Sequence, residues 1–157
     1  MSDEIELIHP DEWLRKSVNE FLLLMGIEET SVEIEKNSEN EFSILINTGK
    51  DDGLLIGRDG ITLNSISHVF GKMLSANFKG CRVNVDIADY RKRKEENLRD
   101  KVNEIAGRVN DIAQEYVIKN LNPQERRIVH ITVKNFDGIG SRSVGEGFVR
   151  DVIIFSE

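Results

Sequence analysis

Apolar and polar residues change period several times along the chain, and each change marks an element. From Pro10 to Met25, Leu14, Val18, Phe21, Leu22 and Met25 recur at helical spacing and Gly26 follows as a terminator, which predicts an amphipathic helix. SVEIEK and EFSILIN then alternate, with Val32 and Ile34 on one segment and Phe42, Ile44 and Ile46 on the next. The polar stretch Asn37 to Asn40 between them predicts a hairpin. DDGLLI has the length of a short helix with Asp51 or Asp52 at its N-cap. Beyond Gly60, the residues Ile66, Val69, Phe70, Met73 and Leu74 mark a longer helix. CRVNVDIA is a period-2 strand, placing Cys81, Val83, Val85 and Ile87 on one face and Arg82, Asn84 and Asp86 on the other.

From Asp89 the composition changes. RKRKEENLRDKVNEIAGRVNDIA predicts a charged helix with a seam of Leu98, Val102 and Ile105, continued by Val109 and Ile112, so a domain boundary falls near Asp89. EYVIKNL predicts a strand. NPQERRIVHITVKNF opens with Asn122 as N-cap, Pro123 at the first helical position and Glu125 at the third, a strong helix start. Gly138, Gly140, Gly145 and Gly147 punctuate the remainder and leave SRSV and FVRDVIIF as a terminal hairpin.

Composition narrows the class without naming a partner. With 157 residues, 39% of them apolar, the chain can bury a core, and its longest apolar run, Phe21 to Met25, is far short of the roughly 20 residues that span a bilayer. An acidic N-terminus without signal-peptide layout and a lone cysteine, Cys81, point to a reducing cytoplasm. The net charge of -7 is unevenly spread. Residues 1–41 hold twelve acids against Arg15, Lys16 and Lys36, a balance of -9 that leaves +2 for the rest. Charges separated by more than about 8 Å are screened at physiological salt, so the acidic total does not exclude a polyanionic partner.

Two glycines bracket Arg58 and Asp59 in GLLIGRDGITLNSI. A Walker loop is ruled out because Ile61 and Thr62 follow Gly60, and a dinucleotide fingerprint because Leu55 stands where a further glycine is needed. What remains is a GxxG joint between two helices, either packed tightly for its own sake or open to a phosphate at the amides of the second helix. The order helix, strand, strand, short helix, GxxG, long helix, strand over residues 10–88 resembles a type II KH domain. That resemblance implies a loop clamping the backbone of about four single-stranded nucleotides, with bases in an apolar groove beside the sheet. Gly57 and Gly60 would permit close approach and Arg58 would supply the cation. Asp59, where many relatives carry a basic residue, would either weaken phosphate affinity or orient Arg58.

Arg126, His130 and Lys134 stand four apart and line one strip of the predicted helix, beside Val129, Val133 and Phe136 as its core contact. Alone, this reads as a solvated basic face. NPQERRIVH followed by Ser143, Gly145 and Arg150 resembles the small nucleic-acid-binding domain named for its Arg-x-x-x-His motif, the R-three-H domain. Arg126 and His130 match the motif itself, while Arg127, Ser143 and Arg150 fall at positions the family often fills similarly. KH followed by R-three-H is similar to the bacterial Jag family, also called SpoIIIJ-associated or KhpB-type. The small N-terminal domain and linker with which many of its members begin have no counterpart in these residues. The implied fold is α+β in two small domains, a type II KH domain with an N-terminal helix over 1–89 and an R-three-H domain over 90–157, each built on a three-stranded sheet. Arg91, Lys92, Arg93 and Lys94 at their junction read as a solvated run or as an added phosphate track.

The resemblance implies a non-catalytic cytoplasmic binder of single-stranded RNA, a regulator or RNA chaperone linked to cell elongation, division and envelope biogenesis. It also implies a small stand-alone KH protein as partner. Single-stranded DNA is the alternative ligand, and Tyr90 and Phe78 are the nearby aromatic platforms. No cofactor or metal is expected: the histidines are His9, His68 and His130, without clustered ligands. The competing readings are a protein adaptor working through the acidic N-terminal region, and a nuclease using His130. The oligomeric state is open.

Overall fold

A computed structural model of the protein describes residues 8–157 apart from 29 and 113. Asp3, Glu4, Glu6 and Glu29 of the acidic region therefore lie outside the described residues. The architecture is α+β, with two three-stranded sheets, and the chain divides into two compact units, one ending at Tyr90 and one starting at Arg91.

In the first unit, α1 (Pro10–Leu24) begins with proline at a position that needs no backbone donor and buries Leu14, Val18 and Leu22 along one stripe. Gly26 ends it at φ 75°, its N–H donating to the Leu23 carbonyl while that of Ile27 reaches back to Leu22. Next come β1 (Ser31–Ser38) and β2 (Glu41–Asn47), paired antiparallel across the predicted turn. The third strand, β3 (Arg82–Ile87), runs parallel to β2, in the order β1-β2-β3. A parallel pair needs a long crossover, and α2 (Asp52–Ile56) with α3 (Ile61–Asn77) supplies it. Phe42, Ile44, Ile46, Val85 and Ile87 pack on one side of the sheet against Leu14, Leu22, Leu55, Leu63, Phe70 and Leu74. Glu33, Glu35 and Asp86 line a depression on the strands, and their charge repels a polyanion there.

Some expectations shift. Neither aspartate caps α2: Asp51 occupies the N-cap position without a side-chain bond, and Asp52 instead accepts from the N–H and hydroxyl of Thr48 at 2.8 and 2.9 Å. The buried stripe of α3 is Leu63, Ile66, Phe70 and Leu74, leaving Val69 and Met73 exposed.

The second unit is carried by α4 (Tyr90–Ile112), whose buried residues are Val102, Ile105, Ala106 and Val109. Ile112, expected to extend this seam, is exposed because the helix ends there. Then follow β4 (Tyr116–Leu121), α5 (Pro123–Val133), β5 (Ile139–Val144) and β6 (Arg150–Ser156), forming an antiparallel sheet of order β4-β6-β5. The terminal hairpin is present, with β5 starting two residues before SRSV and β6 two residues after Phe148. Val129 and Val133 of α5 join the core with Ile118, Val152 and Ile154.

The start of α5 is fixed by a complete capping box. Asn122 Oδ1 accepts from the N–H groups of Gln124 and Glu125 at 2.9 and 3.0 Å, and Glu125 Oε2 accepts from the Asn122 N–H at 2.9 Å. Glu125 Oε1 also meets Lys94 Nζ at 2.8 Å, tying the first turn of α5 to α4. Removing such a cap costs about 1 kcal/mol. Asn122→Ala should therefore lower unfolding free energy by about that amount in urea titration, and Asn122→Asp, which keeps the acceptor, should lose much less.

Candidate nucleic-acid interface

The helix α5 and strand β5 bring together most of the polar residues singled out in the second unit. Arg126, Arg127, His130, Lys134, Ser143 and Arg150 line one open cavity of about 500 Å³, together with Pro123 and Ile131. Arg126, His130 and Lys134 come from successive turns of α5 and its C-cap, with Arg127 beside the first of them, while Ser143 comes from β5 and Arg150 from the start of β6. The cavity thus carries four guanidinium or ammonium groups, and Arg127 and Lys134 among them are exposed.

Arg126 does more than add charge. Its Nη1 donates to the carbonyls of Leu121 at 3.0 Å and Phe148 at 2.8 Å, so one arm of the fork joins the end of β4 to the β5–β6 loop. A guanidinium has five donors, of which these two bonds use only those of Nη1, and Arg126 also lines the cavity. Arg150 works similarly, its Nε donating to the Gly147 carbonyl at 2.9 Å. Both cations are held by backbone before any ligand arrives, which is what a preorganised anion site requires.

His130 is clamped between two hydroxyls, Nδ1 to Ser141 Oγ at 2.8 Å and Nε2 to Ser143 Oγ at 3.0 Å. Burial, then Arg126, then Lys134 lower its pKa from the ordinary value of 6.5, which favours the neutral ring. A neutral imidazole has one donor and one acceptor nitrogen, so one serine donates to it and the other accepts. Ser141 was not singled out from sequence, although it sits two residues from Ser143 on a strand and so shares its face.

In the first unit, Gly57 to Gly60 form the joint between α2 and α3. Arg58 and Asp59 lie in its middle, both exposed, and Leu54 and Ile61 flank it, each 59% exposed. The two glycines answer an internal constraint. A Cβ on Gly57 would fall 2.1 Å from Thr62 Oγ1, and one on Gly60 would fall 2.8 Å from the Tyr90 ring, both at left-handed φ. The room left by the missing side chains is thus filled by the protein itself. Asp59 also sits at φ 55°, a conformation aspartate tolerates better than most residues.

The two aromatics named as platforms are otherwise engaged. Tyr90 packs against Gly60, and Phe78 meets Trp13 edge-on with centroids 5.8 Å apart. Phe148, which sequence reasoning passed over inside a strand, is 72% exposed on the loop that Arg126 holds. Among the described residues, no three His, Cys, Asp or Glu side chains converge as a metal site would need, and no helix is long and apolar enough to cross a membrane.

Residues 96–156 match the R-three-H domain family, so the chain carries an R-three-H domain. The RNA-binding protein KhpB of Clostridium symbiosum is 33% identical over 125 residues, covering 78% of this chain and 56% of that protein. The resemblance to KhpB-type proteins is thereby borne out, and the chain spans little more than half the length of that relative.

The lowered pKa of His130 has a consequence for stability. The unfolded chain binds this proton first, so the contribution of His130 is complete above about pH 6.5 and declines as pH falls through 6.5 toward the depressed native value. Urea midpoints of wild type and His130→Gln, compared at pH 7.5 and 5.5, should show the larger acid loss in wild type. Parallel losses would contradict it.

Proposed function

We propose that this chain, a homologue of RNA-binding protein KhpB carrying an R-three-H domain, is a non-catalytic binder of single-stranded RNA. The observation that carries the reading is the cavity in which Arg126, Arg127, Lys134 and Arg150 surround a neutral His130. Four cations at one open site suit the sugar-phosphate backbone, which offers one charge per nucleotide. Arg126 and Arg150, tied to carbonyls, set the register, while the exposed Arg127 and Lys134 add charge along the strand. His130, with each ring nitrogen engaged by a serine, contributes a polar contact rather than a proton transfer.

The first unit is, on this reading, a type II KH domain. Its support is the strand order β1-β2-β3 with β3 parallel to β2, the GxxG joint in the crossover, and Arg58 in its middle, flanked by the exposed Leu54 and Ile61. The domains would be residues 1–89 and 90–157. Gly57 and Gly60 shape the loop, Arg58 takes a phosphate, and Asp59 lowers the affinity of that contact. Two weak sites on one chain strengthen each other by effective concentration. By family resemblance the protein would work in the cytoplasm as an RNA regulator or chaperone in cell elongation, division and envelope biogenesis, with a small stand-alone KH protein as partner. A second reading, a protein adaptor, is favoured by Leu23, Leu24 and Met25, exposed together at the end of α1.

Fluorescence anisotropy of short single-stranded RNA across a salt series tests the proposal, with single-stranded DNA and duplex RNA as comparisons. Each phosphate contact on a single strand contributes about 0.7 to the salt slope. Arg127→Ala with Lys134→Ala should flatten the slope by about 1.4, Arg58→Ala by about 0.7, and duplex RNA should bind more weakly than the single strand. RNA binding that both sets of variants leave unchanged would overturn these sites, and the absence of any salt-dependent RNA affinity would favour the adaptor.

A further inference from the structure

Phe148 has no role in the fold. It belongs to neither apolar core, it is 72% exposed, and it stands in the β5–β6 loop between Gly145 at φ 98° and Gly147 at φ 90° on one side and the exposed Val149 on the other. Burial of an aromatic side chain is among the larger stabilising contributions open to a small domain, and here it is forgone. The loop is nonetheless tethered at two points. Arg126 Nη1 donates to the Phe148 carbonyl at 2.8 Å, and Arg150 Nε to the Gly147 carbonyl at 2.9 Å. Both tethers are side chains that line the cationic cavity. An unburied aromatic residue is therefore fixed, through its own backbone, to the groups that would grip phosphate.

We propose that Phe148 is a stacking platform for one base of the RNA strand whose backbone occupies the cavity of Arg126, Arg127 and Lys134. The proposal rests on the reading of that cavity as a backbone site and adds the base to it. The chemistry is complementary: guanidinium and ammonium groups hold phosphate oxygens without reading sequence, whereas an aromatic face adds affinity for any base and favours strands whose bases are unpaired. Duplex RNA, with its bases already stacked, cannot offer that contact without opening. The tethers also reduce the entropy lost when the loop takes up a base.

The test compares the whole chain as wild type, Phe148→Ala and Phe148→Tyr on two fluorescein-labelled probes of equal length, an oligouridylate and an abasic ribose-phosphate oligomer. Loss of one base–aromatic stack corresponds to roughly a 5- to 150-fold change in Kd. Phe148→Ala should weaken oligouridylate binding within that range at unchanged salt slope, Phe148→Tyr should restore it, and the abasic oligomer should bind all three proteins alike. Circular dichroism melts should coincide, because the side chain is exposed. Equal oligouridylate affinity for wild type and Phe148→Ala, on a chain whose abasic binding still responds to Lys134→Ala, overturns the stacking role alone. An equal loss on both probes overturns it too, since that would mean a displaced loop. Wild type that binds neither probe overturns the cavity reading and the stacking role together.

Discussion

The candidate site of the second unit is organised by one guanidinium. Arg126 leaves α5 one turn after its N-cap and bonds two carbonyls that are 27 residues apart, Leu121 at the end of β4 and Phe148 in the β5–β6 loop. Two backbone carbonyls in contact with the same cation are neutral acceptors, so the tie consumes donors without consuming charge. The positive charge remains for a ligand, which a carboxylate partner would not have allowed. The rest of the site lies around it: the helix is held at its start by the capping box, His130 lies one turn further along, and the loop bearing Phe148 is tied to Arg126.

The electrostatics are local. A chain of net charge -7 still presents a cavity with four cations, because the excess of acids falls within residues 1–41, which hold twelve acids against three basic residues. Screening over about 8 Å keeps well-separated charges nearly independent. Burial first, and then the repulsion from Arg126 and Lys134, lowers the pKa of His130 and favours its neutral ring.

Much of this was legible in the sequence, for identifiable reasons. Asn122, Pro123 and Glu125 specify a helix start by chemistry confined to four residues, and the structure shows the full capping box there. Alternation placed β2 and β3, and Arg126, His130 and Lys134 reached one cavity because their four-residue spacing is fixed by helix geometry. What escaped was whatever depends on contacts distant in sequence. That Gly57 and Gly60 make room for Thr62 and Tyr90 is invisible without the fold, because glycine motifs look alike whether they admit a ligand or a neighbouring side chain. Asp52 turned back to Thr48 instead of capping α2, since the preceding turn of 3-10 helix, Gly49–Asp51, takes up the helix start. Phe148 falls inside the predicted strand FVRDVIIF because that stretch is mostly apolar, while the strand begins only at Arg150.

The central claim is that single-stranded RNA is held along α5 and the β5–β6 loop of the second unit, and that the Arg58–Asp59 joint of the first unit is a contact of its own. Amide chemical shifts of uniformly labelled protein, followed while a short single-stranded RNA is added, address it most directly. The account predicts perturbations concentrated at residues 126–134, 141–150 and 57–61, with the sheet residues Glu33, Glu35 and Asp86 unmoved. Perturbations centred on those acidic strands, or none at residues 126–134 while the RNA demonstrably binds, would contradict it.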